Sequence, residues 1–217
     1  MIIKSIVFSG IGVIYMNRAE FPFWDNEVEK AITEIYRVKS QMQSVGVRLK
    51  TNDISNEDFS VFLNNVYETL NYWTGHTYIG QKKDKALQKA YQTFFEALYE
   101  FLFICRELGN PMLKSFSDEV LYRGSLYRYL GKGSAEENTD KRIEPQYDNI
   151  YVSWSKQPKN YYIESKLYGT MTLLTCKIDE PYYGIDLEAF GVVRGEEAEV
   201  VFPTIKETIT EIRYIRE

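Results

Sequence analysis

The spacing of apolar residues changes halfway along the chain, and that change limits the fold more than any single motif does. Over residues 24–49 apolar side chains fall at Val28, Ile32, Ile35 and Val38, three and four apart, which lines one face of a helix. Ser55 predicts the cap of a second helix, with Asp58 three residues on in a capping-box arrangement. Phe59, Phe62, Leu63, Val66 and Leu70 form its apolar face, and Gly75 and Gly80 interrupt it. A third helix is predicted over 82–108 through Leu87, Tyr91, Phe94, Phe95, Leu98, Leu102 and Ile104, with Gly109-Asn110-Pro111 as its stop signal. Its aromatic stripe reads as core, not as a cofactor box.

From Val120 onward the texture becomes short β-branched and aromatic runs, which predict strands at 119–122, 150–155, 171–178 and 199–202. Residues 131–140 read as a glycine- and charge-rich loop, and 156–160 as a proline-containing one. In the closing stretch Ile205, Ile209, Ile212 and Ile215 recur at a helix-like interval, while the abundance of Thr and Ile favours an extended chain. A last strand or hairpin arm is expected there. The organisation is a mainly helical part over 1–112 and a β-rich part over 113–217, integrated into one domain.

The 217 residues suffice for a sizeable core, and a 44% hydrophobic content argues against global disorder. A net charge of -5 excludes a general nucleic-acid binder, whose phosphate contacts need clustered Lys and Arg. One or two placed cations still suffice for a small anion. Cys105 and Cys176 lie in apolar runs, predicting buried thiols and no disulfide. With His76 as the sole histidine, no metal-ligand spacing exists and no zinc is expected. His76 itself reads as a structural helix-end residue. The N-terminal segment faintly resembles a secretory signal, but Gly10, Gly12 and the lack of a clear cleavage site favour a strand. No run of 18 apolar residues exists, so no membrane span is expected.

Three short patterns bear on chemistry. Glu197-Ala198-Glu199 opens the predicted Val200-Val201-Phe202 strand, and residues two apart on a strand share a face, about 7 Å between Cα atoms. Two such carboxylates can divide labour, one stabilising positive charge on a sugar carbon and the other deprotonating a nucleophile. Ser153-Trp154-Ser155 places both hydroxyls on one side of a strand and the indole on the other. Arg123-Gly124 ends a short strand, where the guanidinium can fork onto a phosphate and the glycine lets the backbone turn. Each has an ordinary alternative: a solvated strand edge, alternating serines, a surface salt bridge.

In their order, Tyr-Arg-Gly, Ser-x-Ser and Glu-x-Glu followed by an apolar strand, these patterns resemble the arginine-serine-glutamate class of mono-ADP-ribosyltransferases of bacterial toxins, phage enzymes and vertebrate ectoenzymes. The resemblance covers roughly residues 120–203, most specifically Glu197-Ala198-Glu199-Val200-Val201-Phe202-Pro203; 71–78 looks more loosely like the helical lead-in. It implies an α+β ADP-ribosyltransferase fold, a helical N-terminal part with two small, mostly antiparallel sheets around an NAD+ cleft. It implies transfer of ADP-ribose from NAD+, the substrate, to an arginine of a target protein, with no metal, nucleic acid or membrane involved. The place of action would be the cytoplasm or a cell to which the protein is delivered.

Carried over, the resemblance gives Arg123, with Gly124, the NAD+ phosphate or ribose. Ser153, with Ser155, would position the catalytic carboxylate and the nicotinamide ribose. Glu199 would bind a ribose hydroxyl and stabilise the oxocarbenium-like transition state, and Glu197 would orient and deprotonate the incoming guanidinium. Tyr161, Tyr162 and Tyr168 follow the serine strand where the family has its nicotinamide-flanking loop. Trp154 stands where the family usually has Thr or Ser, and Arg194 where some toxins carry an aromatic. Asp186 and Phe190 are then the expected target contacts. Three other readings remain open: an NAD+ glycohydrolase with water as acceptor, a non-catalytic nucleotide-binding module, and a glycosidase, which leaves Arg123 and Ser153 without roles.

Overall fold

The computed structural model describes residues 28–76, 85–131, 144–147, 149–158, 171–192 and 198–215. The predicted N-terminal strand, most of the 131–140 loop, Tyr161, Tyr162, Tyr168, Arg194 and Glu197 lie outside the described residues. The chain divides into two compact units, one within Met1–Val120 plus Ala189–Val192, the other within Leu121–Glu188 and Val193–Glu217.

The first unit contains four described helices: α1 (Val28–Lys50), α2 (Asn56–His76), α3 (Lys85–Glu107) and α4 (Pro111–Val120). The buried face of α1 is Ala31, Ile35, Val38, Met42 and Val45, so Ile32 sits at its margin. Ser55 caps α2 as predicted, its Oγ accepting the Asp58 N–H at 3.0 Å, while the Asp58 carboxylate takes Arg48 Nη2 at 2.9 Å. Aromatic edges close the core: Trp73 meets Tyr91 at 4.9 Å and Phe95 at 4.8 Å, and Phe62 meets Phe101 at 5.1 Å.

α4 corrects the sequence reading, which placed Glu119 and Val120 in a strand. Asn110 Oδ1 accepts the N–H groups of Met112 (3.0 Å) and Leu113 (3.3 Å), and Pro111 occupies the first helical position, where its missing N–H costs nothing. The tripeptide that stops α3 therefore also starts α4. Leu113, Phe116 and Val120 supply its buried face, and Ser117 Oγ donates to Leu102 O at 2.6 Å.

Among the described residues the second unit holds seven strands: β1 (Leu121–Tyr122), β2 (Gly124–Gly131), β3 (Tyr151–Ser155), β4 (Met171–Ile178), β5 (Gly184–Asp186), β6 (Glu199–Pro203) and β7 (Ile209–Ile215), with a short 3-10 turn at Lys206–Thr208. The ambiguous closing stretch is thus a strand. All pairs are antiparallel, in the order β1-β5-β6-β3-β2-β4-β7. β1 and β2 are separated in the chain by Arg123 alone, yet stand four places apart in that order. A flat sheet would put them roughly 19 Å apart, while two residues of chain span about 7 Å at most, so the sheet curls.

Two small sheets were expected; one continuous seven-stranded sheet is found. The join is β2, which pairs with β4 along its length and with β3 at Tyr127↔Ser155. Arg128 Nη1 reinforces it by donating to Ser153 O at 2.9 Å. The α+β class stands.

One face of the sheet carries Leu126, Trp154, Leu174, Cys176, Ile178, Val200 and Phe202, all buried. Trp154 Nε1 donates to Phe202 O at 2.9 Å, so the indole crosses β3 and β6 with its polar atom satisfied. Strand alternation then sends Ser153, Ser155 and Glu199 to the opposite face.

Candidate functional site

Directly opposed residues of an antiparallel pair share a face. Ser155 opposes Glu199 across β3–β6 and Tyr127 across β2–β3, so Tyr127, Ser155 and Glu199 form one row across three strands, spanning about 10 Å. Ser153 opposes Val201 and lies diagonal to Glu199, roughly 7–8 Å away by Cα. Glu199 is buried at 8% exposure, with its main-chain oxygen accepting Leu187 N–H at 3.0 Å.

The two serines differ in what their hydroxyls already do. Ser155 Oγ donates to Gln157 O at 2.8 Å and accepts Gln157 N–H at 3.2 Å, locking the turn that ends β3. The Ser153 hydroxyl has no protein partner among the described residues. The nearer serine is therefore committed to the backbone, and the diagonal one is free to meet a ligand.

Behind this row, on the other face, Lys156 Nζ bridges Asp186 at 2.5 Å and Glu188 at 3.2 Å and lies 5.8 Å from the Tyr122 ring centroid. Asp186 Oδ1 also accepts Glu188 N–H at 3.1 Å. Burial pulls the Lys156 ammonium down, but the hydrogen bonds and charges of Asp186 and Glu188 outweigh it and leave its pKa above the ordinary value. Because β6 lies between β3 and β5, this cation ties the end of β3 to β5 across it.

Arg123 sits where the sheet breaks. Tyr122 pairs with Gly184 and Gly124 with Ile178, so Arg123 alone faces residues 179–183, the segment joining β4 to β5. Gly124 makes the break possible: its φ is 145°, and a Cβ there would come within 2.6 Å of Tyr122 Oη. The Arg123 guanidinium lies 4.0 Å over the Tyr183 ring, donates through Nη2 to Tyr183 Oη, and donates to Glu180 Oε1 at 2.7 Å. No contact joins Arg123 to Ser153 or Glu199 among the described residues.

Ser153, Ser155 and Glu199 are thus brought to one face, Arg123 and Gly124 stand at the seam, and Glu197, Tyr161, Tyr162 and Tyr168 lie outside the described residues. Asp186 and Phe190, expected to contact a target, do not offer their side chains: Asp186 is buried in its ion pair, and Phe190 is buried edge-on to Phe116 at 5.5 Å. The sequence reading missed Tyr127, Lys156, Glu180 and Tyr183. Only Lys156 had a signal, as the residue directly after Ser-x-Ser.

Both thiols are free, buried and held protonated by desolvation, Cys105 pushed up to about 12 and Cys176 raised despite its bond to Thr208 Oγ1. Among the described residues no group of His, Cys, Asp and Glu could hold a metal ion, and no helix is long and apolar enough to cross a membrane. Comparison of the chain with known protein families, curated proteins and solved structures finds no match in any of the three.

Proposed function

We propose that this protein cleaves the nicotinamide–ribose bond of NAD+ and passes the ADP-ribose to an arginine side chain of a target protein. The observation that carries the reading is that Glu199 and Ser153, whose hydroxyl has no partner among the described residues, share one sheet face, with Tyr127 in the same cross-strand row. Glu199, mostly buried on that face, would stabilise the positive charge that develops on the ribose carbon as neutral nicotinamide leaves. Ser153 would hold a ribose hydroxyl, and the Tyr127 ring gives a flat apolar wall for nicotinamide. Arg123 would pair with the pyrophosphate. Glu197 would take the proton lost by the guanidinium nitrogen as it bonds to the ribose carbon.

Nicotinamide release from NAD+ by the purified protein tests the reading. Glu199→Gln should lower it by at least about 100-fold, the scale of removing one group that stabilises transition-state charge. A Glu199→Gln protein that releases nicotinamide at the wild-type rate would falsify the assignment. Adding agmatine separates transfer from hydrolysis: a labelled ADP-ribosyl-agmatine product identifies the transferase, and free ADP-ribose alone identifies the glycohydrolase.

A further inference from the structure

We infer that Glu180 acts as an internal competitor for the anion that Arg123 binds, so that this exposed carboxylate sets how tightly the site takes a pyrophosphate. The inference deepens the reading of Arg123 given above and rests on it.

Arg123 carries donors on three nitrogens in a fixed fork. Among the described residues only Nη2 finds acceptors, Glu180 Oε1 and Tyr183 Oη; Nε and Nη1 have none. An arginine serving only to close the seam would be expected to use both arms of the fork on Glu180, as bidentate pairs do. Instead the Tyr183 ring supports the guanidinium from one face, at 4.0 Å, leaving part of the fork open. The partners also differ in exposure: the Arg123 side chain is 35% exposed and that of Glu180 76%. A bridge with one end so exposed is weak and easily screened, so Glu180 can leave while Tyr183 keeps the cation aimed.

The position agrees with a displaceable contact. Arg123 is fixed by strand pairing on both sides, through Tyr122↔Gly184 and Gly124↔Ile178, whereas Glu180 lies in the unpaired 179–183 segment. In that segment Asp179 is turned to Lys177 at 2.8 Å, so Glu180 is the carboxylate that reaches Arg123. A pyrophosphate, with more negative charge and more acceptor oxygens than a carboxylate, would take the whole fork and release Glu180 to water.

The test uses the full chain and inorganic pyrophosphate as the probe, titrated calorimetrically against wild type, Glu180→Gln, Arg123→Met and the double variant. Glu180→Gln should bind pyrophosphate roughly two- to fivefold more tightly at low salt, the range an exposed ion pair can supply. The gain should shrink towards nothing in 1 M NaCl and be absent when Arg123 is Met. The KM for NAD+ should fall by the same factor. Equal or weaker pyrophosphate binding by Glu180→Gln, or no binding by either protein, overturns the inference. Should pyrophosphate binding respond to Glu180 as described while no protein releases nicotinamide, the anion site stands and the NAD+ reading falls.

Discussion

In the helical unit the buried hydroxyls of Thr69, Thr74 and Ser117 each donate to a main-chain carbonyl, at Asn65, Asn71 and Leu102. In the strand unit the buried carboxyls of Asp186 and Glu199 stand on neighbouring strands, β5 and β6, and point to opposite faces. The difference follows from backbone geometry. A helix offers a hydroxyl the carbonyl one turn back, which absorbs Thr69 and Thr74 locally, while Ser117 of α4 reaches a carbonyl of α3. Alternation in a strand sends every second side chain to a shared face, so polar groups from distant parts of the chain accumulate side by side. The strand unit is where a constellation can be built, and its opposite face carries the packing that holds it.

The largest expected effect tests that division of faces. Trp154→Ala removes the indole that backs the Ser153–Glu199 face and should cost about 3–5 kcal/mol in a urea titration. A loss under about 1 kcal/mol would break the view that the Trp154 face is the core of this unit.

Glu68 is the exception in the helical unit, a buried carboxyl on α2 with no partner among the described residues. Burial pushes its pKa up to about 7, from the ordinary 4.5. The folded pKa lies above the unfolded one, so the unfolded chain gives up the proton first. Stability therefore falls as pH rises from about 4.5 to 7 and stays lowered above it. Glu68→Gln should accordingly stabilise the protein at pH 8 by up to about 3 kcal/mol and gain nothing near pH 4. A pH-independent gain in urea midpoints would show that Glu68 is not titrating as a buried acid.

The smallest stability effects separate the two serines. Ser155→Ala removes both bonds of the turn and should cost about 1 kcal/mol. Ser153→Ala should shift stability by less than about 0.5 kcal/mol, yet slow nicotinamide release by about 10-fold or more if its hydroxyl serves the ribose. The reverse pattern would exchange their roles.

Much of this was legible in the sequence because it rests on periodicity. The α2 cap at Ser55, the α3 stripe, the 171–178 strand and the Ser153–Ser155–Glu199 alternation all follow from local spacing. α4 was not legible, because Pro111 after Gly109-Asn110 reads as a terminator until Asn110 is seen capping forward. The single curled sheet was hidden too, since the pairing of Tyr127 with Ser155 links residues with no local relation. Tyr183 and Glu180 were invisible for the same reason: only the strand break opposite Arg123 brings the 179–183 segment to it.

The register of the sheet also bears on how the molecule forms. No described pair is a tight hairpin: Leu121 pairs with Ile185, Gly124 with Ile178, Tyr127 with Ser155, and Met171 with Ile215. Each requires a long loop to close before any ladder bond rewards it, whereas helices grow from neighbours in the chain. The helical unit is therefore expected to gain structure first and the sheet to follow. Until β7 covers the edge of β4, the apolar run of Met171, Leu173 and Leu174 stands open to pairing with another molecule, which makes the newly made chain most vulnerable to aggregation in that interval.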